Sequence, residues 1–377
     1  MMRTVPPMHA PHAEPANAER LRAAFDAPCA PVVGVEEELM LVDAGTLDLA
    51  PRAPDVLAQL AADPRFKLEM PAAQLEIVLP PAETVAAAAD QLAAARRDLL
   101  AAVGDELRLA AAGLHPFAAE HGPLNRGGRY ERTAAEYGEV ARRQLVFALQ
   151  VHVAIRGAGR ALAVYNALRS HLPEIAALAA HAPFHASRDT GMASWRPVVS
   201  RMLPRQGIPP PLRTWEEYAQ ALRWVADPGR WWWELRPHPV HGTLELRVPD
   251  AQATVRDAAA VVALVQALAV HLAERHDAGE ALTVHDTWRI EENAWSACRY
   301  GVEGELRDLN TGAPRPTRAR LHALLDELEP VAARLGSGDA LSHARRLVER
   351  NGAIALRAAA GGDPVAATRW LVERFTA

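Results

Sequence analysis

The stretch Val32–Asp43, VVGVEEELMLVD, decides how this chain is read. Val33, Val35, Glu37, Leu39 and Leu41 alternate with Glu36, Glu38 and Met40, the period of two that marks a strand. Residues i and i+2 of a strand share a face, roughly 6.6–7 Å apart, so Glu36 and Glu38 project together. Three stretches further along repeat this oddity. AAQLEIVLP, ending at Pro80, pairs Gln74 with Glu76; the strand from Phe147 to Arg156 aligns Gln150, His152 and, at its end, Arg156; GTLELRVPD aligns Thr243, Glu245 and Arg247. Registered in one sheet, these rows would line a concave surface with four carboxylates, a histidine and arginines.

Each row alone has a bland explanation. EEE is a solvated edge in most proteins, a lone histidine such as His152 is usually a satisfied core residue, and Glu245–Arg247 would pass as a surface pair worth under ~1 kcal/mol. His238 and His241 in HPVH carry no H-E-x-x-H and read as a turn, while Trp231 to Trp233 reads as half core and half lid. Their recurrence in four strands favours a functional reading. Clustered, partly desolvated carboxylates repel one another and raise each other's pKa. Divalent cations relieve this, and oxygen ligands select the hard ions Mg²⁺ or Mn²⁺, which share their shells with phosphates.

Composition narrows the field. The chain has 377 residues, 50% hydrophobic and 23% charged, as in ordinary globular proteins. With 41 basic and 46 acidic residues the net charge is −5, no footprint for nucleic acid or an anionic membrane. Lys67 is the sole lysine, so a P-loop, a kinase-type lysine and a pyridoxal phosphate Schiff base are all excluded. Phosphate would have to be met by arginine, whose planar fork grips it bidentately. Cys29 and Cys298 are distant and form no C-x-x-C, which points to a reducing cytoplasm. The start of the chain lacks the apolar core of a secretory signal. The apolar run Ala258 to Ala273 falls short of the ~18–20 residues of a membrane span and reads as a buried helix.

The first 30 residues, rich in Pro, Ala and His, are expected to form a largely disordered tail with a short helix near Glu19 to Phe25. From residue 31 to 377 a single domain is expected. Helices are read at Ala53 to Ala62, Thr84 to Val103, Arg160 to Ser170, Pro173 to Ala180, Val255 to Arg275, Glu280 to Arg299, Arg318 to Leu335, Ala340 to Glu349 and Pro364 to Phe375. A short strand is read in LRLAAAGLHPF and loops at GPLNRGGRYER and from Pro183 to Pro211. Two strands around HPVHG read as a hairpin. Strands with interspersed helices, then helices alone, indicate an α+β fold with a mainly antiparallel sheet and helices on its convex side.

Seven blocks then occur in order: GVEEELMLVD (Gly34 to Asp43), QLEIVLPP (Gln74 to Pro81), GLHPF (Gly113 to Phe117), RDTGMASWR (Arg188 to Arg196), RPHPVHGTLELRVPD (Arg236 to Asp250), ENAWSACRYG (Glu292 to Gly301) and ERNGA (Glu349 to Ala353). Together they resemble the carboxylate–amine ligase family, also called type-2 glutamate–cysteine ligase, whose fold is related to the catalytic domain of glutamine synthetase. The resemblance implies a curved sheet that binds MgATP and small-molecule amino acid and amine substrates on its concave face, without nucleic acid or membrane partners. It implies Glu36, Glu38, Glu76 and Glu245 as Mg²⁺ ligands, with Mn²⁺ as a substitute, and Arg247 near the ATP phosphates. Glu36, Glu38 and Arg247 would thus be catalytic. Arg188 and Arg196 would hold a carboxylate or phosphate, and His152, Asn293 and Arg299 would complete the nucleotide and substrate contacts. The implied reaction is an ATP-dependent ligation through an acyl phosphate, with the glutamate γ-carboxylate as acid.

The chain departs from the family pattern twice. Gln150 stands where the strand usually begins H-V-H-V, and NGAIALR replaces N-G-A-x-R-Q-R, so that Ala355 and Leu356 leave Arg357 alone of a polar trio. Two other readings compete. A catalytically inactive nucleotide- or amino-acid-binding protein would bind ATP without forming ADP, and a metal-dependent hydrolase would work without nucleotide. Exposed-looking Trp and Arg surfaces leave room for a homodimer.

Overall fold

β1 (Val33–Asp43) is long enough to pair with three strands, and the sheet is built around it. A computed structural model describes residues 17–27, 32–225 and 228–375. β2 (Phe66–Leu68), β3 (Gln74–Val78), β4 (Leu107–Ala110) and β5 (Leu149–Ala154) precede a two-stranded ribbon, β6 (Phe184–His185) with β7 (Arg188–Asp189). β8 (Leu235–Pro237) and β9 (Thr243–Leu246) form the expected hairpin, and β10 (Glu305–Arg307) with β11 (Pro314–Pro316) form a second ribbon. The seven-stranded sheet runs β2-β3-β1-β5-β9-β8, with β4 beside the far half of β1, and every pair is antiparallel.

One face of this sheet is the core. Val33, Val35, Leu39, Leu41, Leu149, Val151, Val153, Leu235, Leu244 and Leu246 are all buried there. The helix Val255–Asp277 packs on β1 and β5 and against the helices Val85–Val103, Ala158–Leu168 and Gly338–Glu349. At 23 residues it exceeds the apolar run read from sequence, and by length and composition it could cross a membrane; 67% of its apolar window is buried inside the protein.

Glu37 points into this core between Glu36 and Glu38. It is wholly buried and forked by Arg96 from the helix Val85–Val103, at 2.5 and 2.9 Å. Arg96 also donates to the carbonyls of Gln252 and Ala253. A one-residue slip of β1 would turn every side chain over, so this ion pair fixes which way Glu36 and Glu38 face.

Elsewhere the structure amends the sequence reading. GPLNRGGRYER is a loop only at its start, because Gly128–Tyr137 is a helix. The helix expected from Glu280 begins at Thr287, and Gly352–Ala360 forms a helix not read from sequence. Arg156 lies beyond the end of β5 and is exposed, so it leaves the row it was expected to share with His152. The short N-terminal helix is present as Ala18–Asp26, with Leu21 and Phe25 in the core and Phe25 against Trp215 at 4.9 Å. Residues 1–16 and 28–30 of the expected tail, Cys29 included, lie outside the described residues. HPVH is a turn: His238 Nδ1 accepts from the amides of Val240 and His241. Gly242 closes it at φ +62°, where a Cβ would stand 2.2 Å from the Ala24 carbonyl oxygen of the N-terminal helix.

Candidate active site

The strand registers align the polar rows on the face opposite the core. Gly34, His152, Glu245 and Arg236 stand in one cross-strand row, and Val78, Glu36 and Gln150 in the next. Arg247 continues the second row just past β9, and its amide donates to the Glu234 carbonyl. A third row holds Lys67, Glu76 and Glu38. Gly34 is small for a reason, since a Cβ there would meet the His152 Cβ at 3.2 Å.

Electrostatics divides these carboxylates into two groups. Burial raises Glu38, and Glu69 adds to it, so its carboxyl reaches about 7. Burial and then the charges of Glu69, Glu36 and Glu38 push Glu76 well above the ordinary carboxylate range. Burial raises Glu69 as well. For Glu36 burial is outweighed by His152 and Arg247, and its carboxyl is lowered; His152 Nε2 stands 3.6 Å from Glu36 Oε1. Glu245 is buried too, yet it is held far below the usual range by Arg236, at 2.5 and 3.1 Å, and Arg247, at 2.5 Å. Arg247 also donates to Gln150 Oε1, so glutamine at 150 serves as the bridge between the arginine and Glu38, to which its Nε2 donates at 3.1 Å.

A cleft of about 410 Å³ opens over this face. Glu38, Glu69, Gln74, Arg196 and Arg247 form part of its lining, and Arg129, Arg201, Arg230, Trp232 and Glu234 surround them. The first set presents two carboxylates, an amide, the buried Arg196 and the half-buried Arg247 to the cleft. Arg129 lies over the Tyr130 ring, 5.6 Å from its centroid. Of the tryptophan triplet, Trp231 and Trp233 are buried and Trp232 lines the cleft.

The donor set suits a hard cation. It is mostly carboxylate oxygen, its members repel one another, and two buried atoms on the same face, Gln74 Oε1 and His152 Nε2, have no hydrogen-bond partner among the described residues. No three acidic, histidine or cysteine side chains among the described residues converge as a finished metal cage.

The structure brings Glu36, Glu38, Glu76, Glu245, His152 and Arg247 onto one sheet face, with Arg196 at the cleft wall. Arg196 itself is buried and bound to Asp250 at 2.6 Å and to the Val248 carbonyl at 2.5 Å. Of the residues so gathered only Glu38, Arg196 and Arg247 line the cleft, and three expected residues stand apart from both the face and the cleft. Arg188 is 75% exposed on β7, 3.7 Å from Glu120. Asn293 is buried and clamps the backbone of Arg307 through both amide atoms. Arg299 lies over the Tyr300 ring and beneath Gly191. Arg357 forks Asp189 at 2.8 and 2.7 Å, tying the helix Gly352–Ala360 to the long loop.

Sequence reasoning missed Glu69, Glu234, Arg236, Arg129 and Arg201. Glu234 and Arg236 were legible, because counting back by two from Arg236 gives Glu234 and Trp232 on the face of Glu245. Glu69 and Arg129 sit at the end of a three-residue strand and in a short helix that carry no periodic signal.

A family model described as glutamate–cysteine ligase family 2 matches residues 32–362. A protein of Rubrobacter xylanophilus that bears the name glutamate–cysteine ligase 2-3 is 38% identical over 315 residues, 81% of this chain and 85% of that protein. One of Gloeobacter violaceus, named glutamate–cysteine ligase 2, is 33% identical over 324 residues, 83% of this chain and 87% of its own length. Among solved structures, the glutamate–cysteine ligase of Francisella tularensis in complex with AMP superimposes with a TM-score of 0.69 at 13% identity, covering 94% of this chain and 90% of that one.

Proposed function

This chain belongs to glutamate–cysteine ligase family 2, a family of carboxylate–amine ligases, and from that premise we propose that it joins an amino-acid carboxylate to an amine at the expense of ATP, through an acyl phosphate, with the glutamate γ-carboxylate as the first acid to test. The observation that carries the reading is the registered face on which Glu36, Glu38, Glu76 and Glu245 meet Arg247 and Arg236, and from which Glu38 and Arg247 reach a polar cleft. The AMP held by the Francisella tularensis ligase supports a nucleotide in the same fold.

Glu36, Glu38 and Glu76 would hold Mg²⁺, which when bound supplies positive charge to the phosphates. Glu69, at the cleft wall, adds a fourth carboxylate to that set. Arg247, fixed by Glu245 and Gln150, and Arg129 face the phosphoryl group as charge develops on it. A carboxylate is inert to amines, so the acid oxygen attacks the γ-phosphorus and ADP leaves. The amine nitrogen then attacks the acyl carbon, the C–O bond breaks, and phosphate departs with the oxygen. A glutamate not occupied by the cation takes the proton from the amine. Glu245 begins bound to two arginines, so its part is to position Arg247 and Arg236 as well as to add charge.

Hydroxylamine with ATP, Mg²⁺ and a panel of amino and dicarboxylic acids tests this reading without the natural amine. One acid should give a hydroxamate together with ADP. Folded protein that binds ATP but forms neither product across the panel would refute it.

A further inference from the structure

Behind the cleft lies a second recess of about 270 Å³. Leu172, Ala176, Val198, Ala294, Trp295 and Cys298 give it an apolar wall. Two charged side chains, Glu234 and Arg201, line both this recess and the cleft, so they mark the passage between them. Their guanidinium and carboxylate are 3.9 Å apart, too far for a hydrogen bond. Neither the Glu234 carboxylate nor the Arg201 guanidinium makes a side-chain hydrogen bond among the described residues, although the Glu234 side chain is only 15% exposed. Asp250, the other acid in the recess, is fully engaged: Ser194 Oγ and Arg196 bind one oxygen and the His181 amide binds the other. A carboxylate and a guanidinium that face each other at 3.9 Å with no hydrogen bond between them, above an apolar hole, leave room for a zwitterion with an apolar tail to bridge them.

Building on the ligase reading above, we infer that the acceptor is an α-amino acid with an apolar side chain larger than that of cysteine: its ammonium group lies at Glu234, its α-carboxylate at Arg201, and its side chain fills the recess. The amine nitrogen is then at the wall shared with the cleft, where the activated acid would sit. Burial raises the Glu234 carboxyl, and an ammonium partner would relieve that cost. The Cys298 thiol donates to the Ser194 carbonyl at 2.8 Å, which leaves the floor of the recess without an open polar group from that residue.

The test measures kcat/KM for alanine, cysteine, leucine and methionine as acceptors, with ATP, Mg²⁺ and the acid that gives a hydroxamate. Each buried methylene should gain about fourfold, so leucine should exceed alanine by roughly 60-fold. Leucine should exceed 3-methylbutylamine, which lacks the carboxylate, at least tenfold, and Arg201→Gln should erase that difference. Ala294→Leu, which fills the recess from the helix Thr287–Tyr300, should erase the advantage of leucine over alanine. Calorimetric titration of leucine into wild-type and Arg201→Gln protein reads the same site without turnover. Hydroxamate formation with no preference for leucine would overturn the inference and leave the ligase reading standing. Leucine binding that Arg201→Gln abolishes, with no hydroxamate, would do the reverse. An Ala294→Leu variant that raises KM for ATP and leaves the amino-acid preference intact would assign the recess to the nucleotide and overturn the inference.

Discussion

Arg96→Met should be among the most destabilising single changes in this protein, although Arg96 touches no part of the cleft lining. Glu37 and Arg96 are 0% and 3% exposed in their side chains, and they meet through two hydrogen bonds of 2.5 and 2.9 Å. The methionine leaves the Glu37 carboxylate buried without its cation, and the carbonyls of Gln252 and Ala253 lose their donor. Breaking a buried pair from one side costs about 3–5 kcal/mol. Unfolding entropy near ~2.1 cal/mol/K per residue across 377 residues converts this to a fall in Tm of about 4–6 °C. Differential scanning calorimetry reads it directly. The double variant Glu37→Met with Arg96→Met should regain most of the loss, because two apolar side chains replace a desolvated ion pair. A fall below about 1 °C for Arg96→Met, or a double variant as unstable as the sum of the two singles, would refute the view that this pair sets the facing of β1.

Two pH effects of opposite sign follow from buried carboxyls, and one reactivity follows from a buried thiol. Glu38 is raised by burial and by Glu69 to about 7, so in metal-free protein it opposes folding once ionised; that share of stability, about 3 kcal/mol, is present below pH 4.5 and lost as pH climbs to 7. Melting in EDTA from pH 4.5 to 8 should therefore fall less steeply in Glu38→Gln than in wild type, and equal slopes would count against the cluster. Glu174 is the converse: burial would raise it, but His171 and Arg320 hold it at about 2, so it contributes about 3 kcal/mol above pH 4.5 that disappears as pH falls to 2. Glu174→Gln should melt lower at pH 7 and converge with wild type near pH 2, and a constant gap would contradict this. Burial pushes the Cys298 thiol up to about 12, so iodoacetamide at pH 8 should leave it unmodified in folded protein, as peptide mass spectrometry would show, and label it on unfolding. Prompt labelling of the folded protein would refute this.

Much of the site was legible because strands make residue type visible at a period of two. Counting by two puts Glu36 with Glu38, Gln74 with Glu76, Gln150 with His152 and Glu245 with Arg247 within their own strands, and the registers bring these sets onto one face. Glu37 shows the limit of that method. Its position in the alternation put it on the core face, but only the structure reveals Arg96 as the partner, 59 residues away. Arg188, Asn293 and Arg299 were drawn from ordered motifs rather than from periodicity, and the structure places them in a ribbon, a backbone clamp and a ring contact outside the cleft lining. Glu69, Arg129 and Arg201 were invisible for a different reason. They come from β2's end, a short helix and a loop, whose positions depend on tertiary packing and not on local pattern.

The most direct test of the central claim follows one oxygen atom. The acid that yields a hydroxamate is prepared with ¹⁸O in its carboxylate and turned over with ATP, Mg²⁺ and an amine, and the released phosphate is analysed by mass spectrometry. Attack of the carboxylate on the γ-phosphorus, followed by aminolysis at carbon, predicts one ¹⁸O in each phosphate. Unlabelled phosphate, or label recovered in AMP, would contradict the acyl phosphate and with it the mechanism assigned to this carboxylate face.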